Sequence, residues 1–582
     1  MTGIGASATS TMAGGASAAT LDQAVRTVAD RRGDFARLPV ASKIELLQAI
    51  APRLSAVASD WVRAGCAAKG IAFDTPLGGE EWLGGPAPAA RNVRLLIESL
   101  RHIARQGAPP LGRRVRTRSD GRLEIEVLPA GGWDSTLYRG LSCWVRLQPG
   151  ITDEAEARQQ QATFYRRQQP EGQVSLVLGA GNVASIPVMD VLYKSFVEGS
   201  VCILKMNPVN EWVGPFLEQA LEPLISRDYL RIVYGDGDAG AYLCQHQGVD
   251  DVHITGSDQT HDLIVWGPPG TEQERRKRTG ERLLTKPISS ELGNVSPVGI
   301  VPGRFTDKEL WFQARNLATM LVNNGSFNCN AAKVLITAAR WTQRDRFLEL
   351  FRKAVGNAPP RVPYYPGARQ RYQESVAGRD GVQYFGQGQA QGQSEGLPWA
   401  FIPNVDSRRT DERLFRVEPF CGVLAHTELA ETDPAAFLSA MTTFCNDRLW
   451  GTLNAAIIID PRSERDATIA AALDRAVTAL RYGTVAINLW PAVGYGTVSP
   501  PWGGHPSATL EDIQSGLGWV HNTFMLGGIE KSIIRAPVVM APKPAWFLDN
   551  SRCHLIGRKL TAFETAPNAW SVPSLVLTAL AG

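Results

Sequence analysis

The sequence predicts an α/β protein with two domains, each built on a parallel sheet. Between about residues 173 and 300, short runs rich in β-branched residues alternate with stretches of helical periodicity, which is typical of βαβ units. A second alternating block extends from residue 291 to about residue 487. Because 582 residues with 44% hydrophobic content are too many for one simple core, we expect two or three packed domains.

Charge and cysteine usage argue against several classes of function. Lys and Arg total 60 against 57 Asp and Glu, and a net charge of +3 provides no field that would attract a nucleic-acid partner. The eight cysteines form no C-x-x-C pair, which predicts free thiols in a reducing compartment and no metal site. Since no segment reaches the ~18 apolar residues of a membrane-spanning helix, we expect no transmembrane segment and a cytoplasmic protein.

The first part of the chain is predicted to be helical after a short tail. Residues 1–20 are mostly Ala, Ser, Gly and Thr, and we expect them to be a disordered tail. From Leu21 to about Arg105, apolar residues such as Ile44 and Leu47 recur at helical spacing.

A β-hairpin is predicted next. Residues 115–127 form two strand-like runs around the turn signal Ser119-Asp120-Gly121. Because oligomers often cover the unpaired edges of an exposed hairpin, we expect it to protrude and to mediate self-association into a homodimer or homotetramer.

The first alternating block predicts a cofactor cleft. A Gly or Asn follows each of its strand-like runs within two residues, and ligands of open α/β sheets bind beyond the carboxyl ends of the strands. The cleft should therefore lie near Asn182, Lys205 and Gly256, which favours a Rossmann-like nucleotide-binding domain. The strand-like runs are residues 174–178, 201–205, 230–234 and 251–255.

Three stretches are predicted to lie outside the two sheets. Residues 267–280 carry a dense run of charges, which is usually a solvated loop. The Gly/Gln-rich residues 381–396 have a composition that cannot build a core, and we expect a mobile loop. Residues 505–582 are expected to wrap a surface or a partner subunit.

Seven motifs in a fixed order resemble the aldehyde dehydrogenase superfamily. They extend from about residue 173 to residue 504, a little over half the chain, and their shared order is more specific than any one of them. They are Leu178-Gly-Ala-Gly-Asn182, Val201-Cys-Ile-Leu-Lys205, Thr255-Gly256-Ser257, Glu291-Leu-Gly293, Asn323-Asn-Gly-Ser-Phe-Asn-Cys329, Glu418-Pro-Phe420 and Pro501-Trp-Gly-Gly504.

The resemblance implies three catalytic residues whose chemistry fits oxidation of a small-molecule aldehyde. Cys329 would be the nucleophile, since a thiolate attacks carbonyls readily. Asn182 would donate a hydrogen bond to the alkoxide that this attack creates. Glu291 would activate the water that cleaves the resulting thioester, for which its pKa must be raised toward neutrality.

The resemblance also implies a pyridine nucleotide, NAD or NADP, as cofactor. Lys205 at a strand end would reach ribose hydroxyls, and Gly256 with Ser257 would bring a helix N-terminus to the diphosphate. Glu418 would accept hydrogen bonds from the nicotinamide ribose, with Phe420 beside the ring. Pro208 stands where many NAD-preferring relatives carry an acid, so NADP is also allowed.

The nucleophile segment departs from the family pattern by one residue. Relatives usually place the cysteine three residues after the glycine, whereas Cys329 is four residues after Gly325 and Asn328 occupies the ungapped position. Either a loop adjustment presents Cys329 or the chain is a catalytically inactive nucleotide-binding scaffold, and we favour the first. Cys421, beside Phe420, is the rival nucleophile.

An acylating aldehyde dehydrogenase, equivalent to an acyl-CoA reductase, is the other alternative. That branch generally does without the water-activating glutamate, so Glu291 favours hydrolysis to a carboxylic acid. The resemblance also implies an aldehyde dehydrogenase-like fold. Its Rossmann-like nucleotide-binding domain would comprise residues 21–114 and 156–290, and its catalytic domain residues 291–504. A β-hairpin oligomerisation element would comprise residues 115–155 and 505–530, and a C-terminal extension residues 531–582.

Overall fold

The computed structural model describes residues 17–386 and 396–582. Its strands are β1 (Val115–Thr117), β2 (Leu123–Leu128), β3 (Ser142–Leu147), β4 (Val174–Leu178), β5 (Val201–Lys205), β6 (Leu230–Val233), β7 (Asp251–Gly256), β8 (Ile288–Leu292), β9 (Pro297–Ile300), β10 (Val334–Ala338), β11 (Gln383–Phe385), β12 (Trp399–Ile402), β13 (Val423–Leu429), β14 (Asn454–Ile458), β15 (Thr484–Ile487), β16 (Pro501–Trp502), β17 (Val520–His521) and β18 (Ile529–Arg535).

The helices connect and cover these strands. They are α1 (Ala18–Ala29), α2 (Arg32–Ala36), α3 (Val40–Ala68), α4 (Gly79–Leu83), α5 (Pro86–Gln106), α6 (Gly132–Leu137), α7 (Glu154–Gln160), α8 (Ile186–Phe196), α9 (Gly214–Ala220), α10 (Glu222–Ile225), α11 (Gly237–Gln245), α12 (Asp258–Trp266), α13 (Thr271–Thr279), α14 (Asp307–Val322), α15 (Arg344–Gly356), α16 (Ala368–Val376), α17 (Arg413–Arg416), α18 (Pro434–Arg448), α19 (Pro461–Arg465), α20 (Ala467–Ala479), α21 (Ala492–Thr497), α22 (Cys553–Thr565) and α23 (Ser571–Leu580). None of these helices is both long and apolar enough to cross a bilayer within the described ranges.

The first sheet is parallel and five-stranded, in the order β6-β5-β4-β7-β8. Its central strands are buried on both faces, which explains their continuous apolar runs. The predicted strands at 174–178 and 201–205 are confirmed residue for residue. Since the strand order reverses beside β4, a crevice opens at the carboxyl ends of β4, β5 and β7, as expected for a Rossmann-like sheet.

The second sheet has eleven strands, in the order β1-β2-β3-β18-β15-β14-β9-β10-β13-β12-β11. Its centre, from β15 to β12, is parallel, and β11 pairs antiparallel at one edge. Glu291 lies on β8 of the first sheet, so the parallel part of the second sheet begins in the chain with β9, a few residues after the predicted boundary at 291.

The predicted hairpin exists, but it does not protrude. β1 and β2 pair antiparallel around the predicted turn, β3 pairs with β18, and β18 pairs in parallel with β15 of the same chain. The prediction of a projecting hairpin is therefore wrong, because the late strand β18 joins it to the edge of the chain's own large sheet. The boundary expected between 530 and 531 also falls inside β18. Self-association stays a prediction.

The helical leading region is confirmed, and two neighbouring expectations are corrected. Ser17 caps α1 by accepting a hydrogen bond from the Thr20 amide at 3.3 Å, so residues 17–20 belong to a helix, while residues 1–16 lie outside the described ranges. The charge run predicted as a loop forms α13, in which no residue is buried. Ion pairs along it, such as Arg276 with Glu272 four residues earlier, stabilise that exposed helix. Most of the Gly/Gln-rich stretch, residues 387–395, also lies outside the described ranges.

The C-terminal segment packs on the surface of its own chain, which is one of the two arrangements expected for it, the other being contact with a partner subunit. Helix α22 packs on α4 and α5, and its Glu564 is fully buried among arginines. The Glu564 carboxylate accepts hydrogen bonds from Arg91 at 3.1 Å and from Arg94 at 2.6 Å, and Arg91 also binds Asp134 at 2.8 Å. This buried cluster joins α5, α6 and α22.

We expect Glu564→Gln to lower the free energy of unfolding by ~3–5 kcal/mol, because it leaves two buried arginines with one carboxylate fewer. Urea unfolding followed by circular dichroism measures the change. The matched control is Glu98→Gln, since Glu98 also pairs with Arg94 but is 43% exposed, and its loss should cost less than ~1 kcal/mol. Equal losses in the two variants would show that the cluster does not anchor α22.

Candidate active site

Cys329 lies at the end of a tight loop that follows α14. The chain turns in a 3-10 segment over Asn323–Ser326, where Asn324, Gly325 and Ser326 all have positive φ. A Cβ on Gly325 would come within 2.9 Å of the Phe327 ring, so glycine suits both the conformation and the space there. The loop brings Cys329 to the wall of a cavity of about 830 Å³.

The thiol of Cys329 meets the carboxylate of Glu291. Cys329 packs against the cluster that contains Trp502, and the indole N–H of Trp502 donates to Glu291 Oε1 at 3.1 Å. The thiol and the carboxylate are close enough for each to shift the pKa of the other. Burial raises the pKa of Glu291 to about 7. Burial and the nearby carboxylates of Glu291 and Glu418 raise the pKa of Cys329 well above its usual range. The pair therefore holds a protonated thiol beside a base that titrates near neutrality.

Asn328, at the ungapped position, and Cys329 both line the cavity. The Asn328 side chain donates to Asn323 Oδ1 at 3.0 Å and accepts from Asn324 Nδ2 at 3.0 Å, so it is held in an amide cluster. The rival Cys421 is fully buried in the core, where burial raises the pKa of its thiol to about 11, and it does not line the cavity.

Asn182 lies beside the same loop. It is 8% exposed, lines the cavity, and donates from Nδ2 to the Phe327 carbonyl at 3.0 Å. Its own carbonyl accepts hydrogen bonds from Asn324 at 3.0 Å and from Tyr364 at 3.2 Å. These bonds join the end of the first sheet to the loop that carries Cys329.

The sequence reasoning missed a buried network beneath this junction. Lys69 Nζ donates to Glu81 Oε1 at 2.8 Å and to Asn324 Oδ1 at 3.0 Å, while Glu80 accepts from the Asn324 amide at 3.1 Å and from Arg361 at 2.9 Å. The helical layer thereby supports the nucleophile loop from below. The available signal was the density of asparagines in residues 323–330, which indicates a segment rich in side-chain hydrogen bonds.

Three of the expected cofactor residues lie at the carboxyl edge of the first sheet. Lys205 ends β5 and is buried, and desolvation lowers its pKa. Gly256 ends β7 and is exposed. Ser257 caps α12, where its hydroxyl accepts from the Thr260 amide at 3.1 Å. The helix N-terminus therefore faces the crevice, as the sequence predicts.

Glu418 and Phe420 approach this edge from the second sheet. Burial raises the pKa of Glu418, while the charge of the neighbouring buried Lys333 opposes that shift. A Cβ on Gly293 would lie 1.9 Å from Glu418 Oε2, so only glycine allows this approach. Phe420, at φ 42°, packs against the ring of Tyr365 with centroids 5.0 Å apart. In the described part of the chain, no group of three or more His, Cys, Asp or Glu side chains could hold a metal ion.

The cavity in front of Cys329 is lined by several parts of the chain. Asn182 and residues 323–330 form its polar end. Residues 540–546 and helices α22 and α23 of the C-terminal segment form much of the opposite wall.

Comparison with solved structures shows which fold this is. The chain is similar to a putative aldehyde dehydrogenase from Burkholderia cenocepacia, with 18% identity and a TM-score of 0.57 over 88% of this chain and 91% of that one. It is also similar to an NADP-dependent glyceraldehyde-3-phosphate dehydrogenase from Bacillus halodurans complexed with NADP, with 16% identity and a TM-score of 0.56 over 89% and 91% of the two chains. A mutant aldehyde dehydrogenase C from Pseudomonas syringae, complexed with NAD+ and octanal, gives 15% identity and a TM-score of 0.58 over 90% of each chain.

No protein-family profile matches the chain, and no curated protein sequence matches it. The likeness therefore rests on the arrangement of the two sheets and their helices over nearly the whole chain. The chain has the aldehyde dehydrogenase fold.

Proposed function

We propose that this protein oxidises an aldehyde to a carboxylic acid with NAD or NADP, through a thioester on Cys329. The observation that carries the proposal is the arrangement of Cys329, which lines the cavity, beside Trp502 and the Glu291 carboxylate that Trp502 holds. A nucleophile beside a base that titrates near neutrality, with an amide donor at the same cavity, is the minimum equipment for acyl chemistry at a carbonyl.

The first chemical step uses the pair directly. Glu291 takes the thiol proton, and the sulfur of Cys329 attacks the carbonyl carbon, so that a carbon–sulfur bond forms and the carbonyl oxygen becomes an alkoxide. Asn182 lies at the same wall and would donate from its amide to that oxygen. The backbone N–H of Cys329, which lies beside its own sulfur, would be a second donor to that oxygen.

The residues at the carboxyl edges fit a pyridine nucleotide. Glu418 Oε1 is buried without a hydrogen-bond partner, and the Lys205 ammonium has no ion-pair partner among the described residues. A ligand with ribose hydroxyls would satisfy both groups, while Ser257 and the start of α12 would face its diphosphate. A bound pyridine nucleotide would supply the hydride acceptor that oxidation of the alkoxide adduct to a thioester requires. Two similar proteins were solved with NAD+ and with NADP, and Pro208 offers no carboxylate to repel a 2′-phosphate.

Hydrolysis completes the proposed cycle. Glu291 would first release the thiol proton to solvent and then take a proton from water. The hydroxide would add to the thioester carbon, the carbon–sulfur bond would break to release the acid, and Glu291 would return its proton to the sulfur of Cys329. A carboxyl with a pKa of about 7 suits this task at neutral pH. This base favours hydrolysis over transfer of the acyl group to coenzyme A.

We expect Cys329→Ala to abolish NAD(P)H formation with every aldehyde tested while leaving the dissociation constant for the nucleotide within about threefold of wild type. The thiol acts on substrate, whereas the proposed cofactor contacts come from other residues. Fluorescence titration and absorbance at 340 nm measure the two quantities. The control is Cys421→Ala, and the assignment is wrong if that variant is silent and Cys329→Ala is active.

We expect Glu291→Gln to slow thioester hydrolysis by ~10²–10⁴-fold, because the amide keeps the size of the side chain but cannot act as a base. Rapid mixing should then show at most one NAD(P)H per active site, formed more slowly than in wild type because the thiol has also lost its base. A still slower steady rate should follow, with acylated Cys329 visible by mass spectrometry. The control is Glu281→Gln, which changes an exposed carboxylate in the segment that precedes β8. A steady rate equal to wild type in Glu291→Gln, or wild-type turnover that needs coenzyme A, would favour the acylating alternative.

The pH profile of wild-type kcat/KM should rise about tenfold per unit below pH 7 and level off above it, because only the ionised form of Glu291 accepts the thiol proton. Steady-state assays from pH 5 to pH 9 measure this profile. The limb near pH 7 should be missing from the residual activity of Glu291→Gln. Its persistence there would assign the titration to another group.

A further inference from the structure

We propose that the aldehyde substrate carries a long, uncharged hydrocarbon chain, which lies in the cavity in front of Cys329 under a roof formed by α23. The inference rests on the proposed function and names its substrate class. It is drawn from the walls of the cavity, their charges and the position of the C-terminal helix.

The cavity has the volume and the apolar lining that such a chain needs. Its volume of about 830 Å³ lies toward the upper end of the ~300–1,000 Å³ that is usual for small-molecule sites. Away from Cys329, the wall consists largely of aliphatic, proline and aromatic side chains, among them Leu137, Val493, Trp546 and Leu575. A substrate that only fills the polar end would leave this apolar surface facing water.

The charges on the wall are already neutralised. Every charged side chain that lines the cavity, apart from Arg139 at the exposed rim, has an ion-pair partner among the described residues. A negatively charged aldehyde would therefore find no unpaired cation inside the cavity. The pairs are Lys69–Glu81, Glu80–Arg361, Arg91–Asp134, Arg91–Glu564 and Lys543–Asp549.

Helix α23 closes the cavity from the C-terminal side. Leu575, Val576 and Ala579 line the cavity. Lys559 of α22 holds the helix in place by donating to the hydroxyls of Ser574 at 2.8 Å and Thr578 at 2.6 Å. The contacts of Lys559, which lie outside the cavity, thus hold the apolar side of α23 against it. A hydrocarbon chain in contact with that side would be removed from water.

A series of straight-chain aldehydes from propanal to decanal tests the substrate class. Each buried methylene contributes ~0.8 kcal/mol, so kcat/KM should rise about fourfold per added carbon while the chain still lies in the cavity. Succinic semialdehyde, which carries a carboxylate, should be a poorer substrate than butanal by at least tenfold. A flat or falling series, or a preference for succinic semialdehyde, would overturn the inference.

Two matched substitutions on α23 test the roof. Ala579→Trp places a large ring on the cavity wall, so kcat/KM should fall at least tenfold for decanal and change less than twofold for propanal. Leu577→Trp adds the same ring to the same helix at a side chain that is 66% exposed and does not line the cavity, and it should change neither value. Equal effects of Ala579→Trp on both aldehydes, or none on decanal, would show that α23 does not border the substrate.

Binding without chemistry separates this inference from the proposed function. Straight-chain amides from propionamide to decanamide cannot be oxidised, and their affinity for Cys329→Ala can be measured by calorimetry. Affinity that rises with chain length supports a hydrocarbon site even if no aldehyde yields NAD(P)H, an outcome that would refute only the proposed reaction. Affinity that is independent of chain length contradicts the hydrocarbon site even if aldehydes are oxidised.

Discussion

The side chain of Asn324 is the point on which the geometry of the site depends. Its Nδ2 donates to the carbonyls of Asn182 and Phe327 and to Oδ1 of Asn328, and its Oδ1 accepts from Lys69. One amide therefore links the end of the first sheet, the nucleophile loop and the helical layer. Because these groups are buried, losing one partner would leave several polar atoms unsatisfied at once. The position of Cys329 follows from this network more than from the local sequence around the thiol.

Burial gives the site its chemistry and also makes it costly to build. Desolvation brings the pKa of Glu291 to about 7, and it holds the Cys329 thiol in the protonated form. The same desolvation lowers the pKa of Lys333, whose ammonium donates to Ser326 Oγ at 2.8 Å and thus holds the loop from behind. The proposed catalytic groups and the lysine that supports the loop are therefore all desolvated, and each buried polar group depends on its partners staying in place.

Features that depend on neighbouring residues in the chain were predicted from the sequence, whereas contacts between residues far apart in the chain were missed. The strand at 174–178 was clear because a parallel strand buried on both faces reads as an unbroken apolar run. Cys329, Glu291 and Asn182 were found through motifs that lie close to them in the chain. The pairing of β18 with both β3 and β15, and the support from Lys69, join residues more than 40 positions apart, and no periodicity encodes such a contact. The charge run of α13 was missed because ion pairs, rather than an apolar face, stabilise that helix.

The C-terminal segment connects the stability of the fold with access to the site. Glu564 of α22 lies in a buried arginine cluster, while its helix and α23 form one side of the cavity that contains Cys329. Helix α22 packs directly against α5, whereas α23 contacts the rest of the chain mainly through α22. Loss of the buried cluster would therefore displace α22 and with it the cavity wall, whereas a change in α23 alone would leave the cluster intact. In the proposed reaction, a change in α23 would therefore alter the wall that meets the substrate without moving Cys329 or Glu291.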